Sequence, residues 1–286
     1  MQSITLAALA KINLSLRILA QRPDGFHEIE TLMAPITLAD ELEVSHCTES
    51  GIRFTCNDPE LPAGSENLCV KAAKAFFESS GVEHGIAISL MKKIPHGAGL
   101  GGGSSDAAAV LKGLNELFGH PLVQEELQQI AATLGSDVSF FLGSGPSWCR
   151  GRGEILESAT SLPERRILLV KPPFSVATPW AYKRFAELKN TALILNTEIP
   201  QYIGEIKVTN DLEFPVFEKH MILPVMKSWL RGHSGVESAF MTGSGSTMVA
   251  ILAPFLSDRE VAVLRNQIST EFGSTFWVTE TAFSAL

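Results

Sequence analysis

A run of glycines leaves this chain few choices: Pro95-His-Gly-Ala-Gly-Leu-Gly-Gly-Gly-Ser-Ser-Asp-Ala-Ala-Ala109. It lies between a strand-like segment, 86–90, and a segment in which Ala107, Val110, Leu111, Leu114, Leu117 and Phe118 recur at helical spacing. Gly119 and Pro121 then stop that helix. Without Cβ atoms the backbone can approach an anion closely, and successive N–H groups can turn inward as a nest. A helix beginning near Ser104 adds unpaired N–H groups and the positive end of its dipole. Ser104 and Ser105 can cap that helix, donate to phosphate oxygens or help hold Mg²⁺. The chemistry such a segment calls for is polyphosphate binding.

Two better-known phosphate loops fit less well. Gly97-Ala-Gly99-Leu-Gly-Gly102 matches GxGxxG, but a dinucleotide fold wants that string in the first βα turn, with an acidic residue about 20 positions on. Here it lies about a third of the way along, and Glu125 and Glu126 belong to a later helix. The Walker loop needs a lysine after its last glycine, whereas Lys92 and Lys93 precede this loop.

Around the loop the chain reads as two units, 1–162 and 163–286. In the first, Ala10, Ile12, Leu14, Leu16 and Ile18 alternate with Lys11, Asn13, Ser15 and Arg17, the pattern of a half-buried strand over 10–18. Lys11 and Asn13 therefore project to the same side. Gln21-Arg-Pro-Asp-Gly25 is a turn, and 42–45 and 52–56 are strand-like. A helix is expected over 66–78, capped by Ser65 and followed by Gly81, and another over 125–134, ended by Gly135. A strand over 147–156 closes this unit. The second is expected to run strand (167–170), helix (180–188), helix (217–230), strands (237–241 and 247–252) about a Gly-Ser-Gly turn, helix (258–272) and strand (275–279). That is a β-α-β-β-α-β layer of helices on an antiparallel sheet. The stretch 186–204 is an open loop with room for a partner subunit.

With a net charge of -8 over 286 residues and no basic run, a nucleic-acid polymer is not an expected partner; a single nucleotide needs only local donors. Cys47, Cys56, Cys69 and Cys149 form no CxxC pair, which argues against zinc and disulfides and fits a reducing cytosol. The apolar start lacks a basic region and is interrupted by Lys11 and Asn13, and no run is long enough to span a bilayer. The expectation is a soluble, cytoplasmic protein with no membrane partner, a monomer or weak homodimer.

Pro-x-Gly-Ala-Gly-Leu-Gly-Gly-Gly-Ser-Ser resembles the ATP-binding signature of the GHMP kinases. Ala10-Lys-Ile-Asn13, Arg22-Pro-Asp-Gly-Phe-His-Glu28, Gly135-Ser-Asp-Val-Ser-Phe-Phe141, Asn210-Asp211-Leu212 and Thr242-Gly-Ser-Gly-Ser246 narrow the likeness to the branch that phosphorylates a cytidine-diphosphate-linked methylerythritol. These segments cover nearly the whole chain in the family's order. The resemblance implies an α+β, two-domain GHMP kinase architecture. Its parts are an N-terminal ribosomal-protein-S5-like ATP-binding domain and a C-terminal ferredoxin-like domain.

The resemblance also implies roles. Lys11 and Asp137 are the catalytic pair, Asp137 standing at a loop end to accept the substrate's hydroxyl proton, or mainly to orient the hydroxyl, while Lys11 offsets charge on the phosphoryl group. Pro95, Gly97, Ala98, Gly99, Leu100, Gly101, Gly102, Gly103, Ser104 and Ser105 would bind ATP, with Asn67 near the adenine and Ser105 on Mg²⁺. Phe26, His27 and Tyr182 would take the cytidine by stacking and hydrogen bonding, and Asn13, Thr242, Gly243, Ser244 and Gly245 the rest of the acceptor. Plainer alternatives stand beside these: an exposed strand lysine at 11, a turn-capping Asp137, a helix-capping Asn67 and core aromatics at 26 and 182.

The chain departs from the family at several places. Phe26 replaces a common Tyr, Asp106 follows the paired serines to favour Mg²⁺ or cap the helix, and Ser136 and Ser139 flank Asp137. Arg150-Gly-Arg-Gly153 adds positive charge, either for a diphosphate or as a solvated loop. The alternatives to the cytidine-linked acceptor are another GHMP kinase, acting on homoserine or a mevalonate-like alcohol, and a nucleotide-binding protein without catalysis.

Overall fold

The computed structural model describes residues 2–82, 85–189 and 200–284. Residues 190–199, in the loop considered for a partner contact, lie outside the described residues. The chain opens with β1 (Ser3–Gln21) antiparallel to β2 (His27–Cys47), from Ser3 opposite Ser45 to Gln21 opposite His27. Both strands are far longer than the segments that alternation marks. Three register shifts, at Leu9/Ala10, Asn13/Ser15 and Ile18/Ala20, interrupt the period-two pattern by which a strand is recognised.

Next come β3 (Ile52–Cys56), α1 (Leu68–Ser80), β4 (Gly85–Met91), α2 (Gly102–Leu117), α3 (Gln124–Leu134), α4 (Val138–Leu142), β5 (Ser147–Gly151) and β6 (Ile155–Ser158). The cap of α1 is Asn67, not Ser65: its Oδ1 accepts from Cys69 N at 2.8 Å. Besides β1, the long β2 serves two further partners, pairing Glu41–Cys47 with β4 and Ile29–Met33 with β5. The single strand expected over 147–156 is the β5–β6 hairpin, turned at Gly151 (φ 73°) and Gly153 (φ 121°).

The remaining elements are β7 (Arg166–Lys171), α5 (Thr178–Lys189), β8 (Gln201–Ile203), β9 (Ile206–Asn210), α6 (Glu213–Lys219), α7 (Ile222–Arg231), β10 (Val236–Met241), β11 (Met248–Leu252), α8 (Asp258–Phe272) and β12 (Trp277–Ala282). Four strands form an antiparallel sheet in the order β10-β11-β7-β12, the ferredoxin-like order. The single helix expected over 217–230 is α6 and α7, broken at His220 (φ -118°, ψ 74°). The pair β8–β9, which sequence patterning does not mark, belongs to the other sheet, whose order is β3-β4-β2-β1-β9-β8 with β5 and β6 added on β2. There β9 runs parallel to β1, Leu16 opposite Asn210.

Apolar burial is organised in three layers. One packs α1–α4 on the first sheet, and one packs α5–α8 on the second. The third joins the sheets to each other through Ala10, Ile12 and Leu14 of β1 and Leu169, Phe240 and Val249 of the second sheet. Each such aliphatic side chain, fully buried, contributes about 1.5–3 kcal/mol. That packing buries one face of β1; on the other, Lys11, Asn13 and Ser15 are 4%, 3% and 5% exposed. Lys11 and Asn13 line a cavity there rather than meeting bulk solvent.

Candidate active site

A cavity of about 1090 Å³ opens between the glycine loop, the middle of β1, the turn after β1, α5 and the loop after β10. Of the residues expected at the site, all but Ser105 and Thr242 line it. Helix α2 starts at Gly102, two residues ahead of expectation, with Gly101 in the capping position and no side chain capping it. Ser105 N bonds Gly101 O at 2.9 Å, so the amides of Gly102, Gly103 and Ser104 lie ahead of the helix's own ladder and are open to an anion. Successive helical residues point about 100° apart, so the paired serines cannot both face the cavity. Ser104 does, whereas Ser105 is 2% exposed and does not line the cavity. The loop itself depends on Gly99: its φ is 76°, and a Cβ there would lie 2.5 Å from Thr242 O.

Lys11 and Asp137 meet at the centre, Nζ to Oδ2 3.4 Å. The buried ammonium also donates to Asn13 Oδ1 (2.7 Å) and Gly99 O (3.2 Å), so its charge is paired and its position set by strand and loop together. Asp137 immediately precedes the short helix α4, but its side chain makes no capping bond. The turn-capping alternative therefore fails, and the carboxylate stays directed at Lys11 and the cavity. Asn13 is oriented in turn by Thr31, to which its Nδ2 donates at 2.8 Å.

Thr242 was expected to touch the acceptor but is fully buried; its Oγ1 accepts Asn13 N at 2.9 Å. It joins the turn after β10 to β1 and holds Gly243, Ser244 and Gly245 against the cavity. Asn210 completes the joint, its Nδ2 donating to Met241 O (2.7 Å) and Gly243 O (2.8 Å). Ser244 Oγ lies 2.7 Å from Thr178 Oγ1 at the start of α5.

At the other end the His27 and Tyr182 rings stack, centroids 5.4 Å apart and 26° from parallel. Phe26 stands apart from them, half exposed, with the Arg152 guanidinium 4.9 Å from its ring centre. The core-aromatic alternative for Phe26 is thus excluded. His27 Nε2 is buried without a protein partner. Burial, aided by the charge of Lys189, holds the imidazole below its ordinary pKa, so the ring is neutral at pH 7. Of the two arginines in the loop, Arg150 pairs with Glu30 and Glu157 on the exposed side, and only Arg152 lines the cavity.

Asn67 lines the far end, but its Oδ1 caps α1 and its Nδ2 donates to Pro62 O at 2.7 Å. Beside it is a cluster that sequence reading did not assemble. Lys92 Nζ donates to Asp106 Oδ2 at 2.8 Å and to Asp40, and all three side chains are nearly buried. Asp40 Oδ1 also accepts Ile94 N at 2.8 Å, locking the strand end that feeds the glycine loop. Asp106 therefore does not cap α2. Burial pushes its carboxyl up to about 7 against the pull of Lys92, and Oδ1 has no partner. The signal available in the sequence was Lys92 just before the loop, but nothing local connects it to Asp40, 52 residues away.

Comparison with known proteins adds the following. The GHMP kinases N terminal domain family matches residues 67–145. The chain is 48% identical over 248 residues to a 4-diphosphocytidyl-2-C-methyl-D-erythritol kinase of Methylacidiphilum infernorum, covering 86% of this chain and 85% of that one. To the enzyme of that name from Synechococcus sp. (strain JA-3-3Ab) it is 39% identical, with 99% and 95% covered. A crystal structure of 4-(cytidine 5'-diphospho)-2C-methyl-D-erythritol kinase superimposes with a TM-score of 0.79 at 33% identity, covering 99% of this chain and all of the other. A homoserine kinase from Cytophaga hutchinsonii shares the fold at TM-score 0.69 and 19% identity.

Proposed function

The chain belongs to the 4-diphosphocytidyl-2-C-methyl-D-erythritol kinases, a branch of the GHMP kinases, and on that premise we propose that it transfers the γ-phosphoryl group of ATP to the 2-hydroxyl of 4-diphosphocytidyl-2-C-methyl-D-erythritol, a step of non-mevalonate isoprenoid synthesis. The observation that carries the reading for this chain's own residues is the Lys11–Asp137 pair, 3.4 Å apart between the glycine loop and the His27–Tyr182 wall of one cavity.

Asp137 takes the hydroxyl proton as the alcohol oxygen bonds to the γ-phosphorus and ADP leaves. Lys11, fixed by Asn13 and Gly99 O, faces the charge that spreads over the transferring group. The open amides of Gly102, Gly103 and Ser104 hold phosphate oxygens at the positive end of α2. Neutral His27, with a buried nitrogen awaiting a partner, reads the polar edge of the cytosine, and Phe26 and Tyr182 supply the ring faces.

Magnesium bound with ATP takes most of its ligands from phosphates and water. The residues here suit that arrangement: the described residues contain no group of three acidic, histidine or cysteine side chains to cage the ion alone, while Ser104 lines the cavity on the first turn of α2. Bound there, the ion would neutralise phosphate charge. No helix among the described residues is long and apolar enough to cross a membrane.

The test is ADP release from ATP and Mg²⁺ with the cytidine-linked methylerythritol offered beside homoserine, mevalonate and galactose. Turnover confined to the cytidine compound is expected. Turnover of another alcohol in its place would overturn the acceptor assignment while keeping the kinase.

A further inference from the structure

We propose that Arg152 is an acceptor-binding residue whose guanidinium supplies charged donors to the diphosphate of the nucleotide-linked alcohol; this rests on the acceptor reading above. Three observations carry it. First, Arg152 lines the cavity beside Phe26, while its near neighbour Arg150 does not line it. Second, the guanidinium is not used up by the protein. Among the described residues its one ion pair is to Glu154 Oε1 at 3.8 Å, the outer limit of such a contact, and Glu154 is drawn instead to the Arg152 backbone amide, whose N lies 2.6 Å from Oε2. No hydrogen bond to the guanidinium is made among the described residues, so its five donors are available.

Third, the guanidinium is placed by a built arrangement rather than by chance. Glu28 ties two loops together: Oε2 accepts from Arg22 Nη1 at 2.9 Å in the turn after β1, and Oε1 accepts from Gly151 N at 3.1 Å in the β5–β6 turn. The turn after β1 is itself closed by Arg22 N donating to Phe26 O at 2.8 Å. The latch brings Arg152 to 4.9 Å from the Phe26 ring centre, within cation–π range. Held over the ring, the guanidinium loses side-chain freedom before any ligand arrives and keeps its N–H groups for phosphate, a setting in which arginine outperforms lysine. One residue then serves both ends of a nucleoside diphosphate: it backs the aromatic ring that faces the base and pairs with the phosphates.

The two uses are separated by measuring binding of CDP and of cytidine, by calorimetry, to the full chain and its variants. Arg152→Ala is expected to weaken CDP about tenfold and cytidine less than about twofold, with the CDP deficit shrinking at high salt. Arg152→Lys should recover part of the CDP affinity, and Arg150→Ala should bind both ligands as the parent does. Undiminished ATP affinity reports that each variant is folded, and Arg152→Gln repeats the test with a side chain of similar reach and no charge. Equal losses for CDP and cytidine would overturn the proposal, leaving Arg152 as a prop for Phe26 alone; unchanged CDP affinity would also overturn it. If the parent protein binds ATP but neither cytidine ligand, the acceptor reading itself fails and takes this proposal with it.

Discussion

Two carboxylate–lysine contacts in this molecule differ in how far their carboxylates are buried. Asp137 is about a third exposed and meets Lys11 at 3.4 Å, and in the proposed mechanism it takes the proton of the bound alcohol. Asp137→Asn keeps the shape but cannot take that proton. It should lower kcat by about 10²- to 10⁴-fold, the usual worth of general-base catalysis, while ATP affinity measured by titration stays within about twofold. Asp106 is sealed in and shares Lys92 with Asp40. Burial raises its folded pKa from 3.8 to about 7, so the native state holds a proton that the unfolded chain releases. The stability that proton contributes is complete below pH 4 and is lost as pH rises to about 7, at up to about 1.4 kcal/mol per pH unit. Asp106→Asn has no such proton to lose. Thermal unfolding across pH 5 to 8 should show the parent losing ground to this variant as pH rises, and parallel curves would reject the sealed-carboxyl account.

At the scale of elements, the glycine loop is held by its joint with the turn after β10 as much as by its own sequence. Gly99 and Gly103 look equivalent in the run, but their surroundings are opposite. A Cβ at 99 meets Thr242 O at 2.5 Å with φ at 76°, while a Cβ at 103 meets nothing within 4 Å and sits in a helix. Gly99→Ala should therefore lower the melting temperature and abolish ATP binding. Gly103→Ala should hold or raise that temperature, because Ala favours the helix by about 0.5–1 kcal/mol, and any loss it shows should be confined to nucleotide affinity. Scanning calorimetry with and without ATP reads both effects. Destabilisation by the two variants alike would mean that the loop is not docked on Thr242.

For the whole molecule, the site exists because two sheets are joined. Asn210 at the end of β9 is the pin: paired beside β1 in one sheet, it satisfies two carbonyls after β10 of the other. Asn210→Ala leaves both acceptors buried and should cost about 2–4 kcal/mol in urea unfolding with an unchanged m-value. A loss within 0.5 kcal/mol would show that the joint is held elsewhere. Much of this was legible beforehand. The glycine run, the Lys11–Asn13 pair and the motif order point to a GHMP kinase, because phosphate binding needs open amides at a helix start and the residues that make them are contiguous. The span of α8 was likewise legible, since caps and apolar period are local signals. What escaped depends on contacts distant in the chain. The lengths of β1 and β2 were hidden by register shifts, β8–β9 by its pairing with a strand nearly 200 residues earlier, and the Lys92 cluster by the 52 residues between its members. That Ser105 and Thr242 do not line the cavity has a related reason: a motif names neighbouring residues, but one helical step or one strand face decides which of them meets it. Chemistry carried by contiguous residues was determined by the sequence alone. Which of those side chains turn inward, and which distant carboxylate or arginine joins them, was decided only when burial packed the two sheets together.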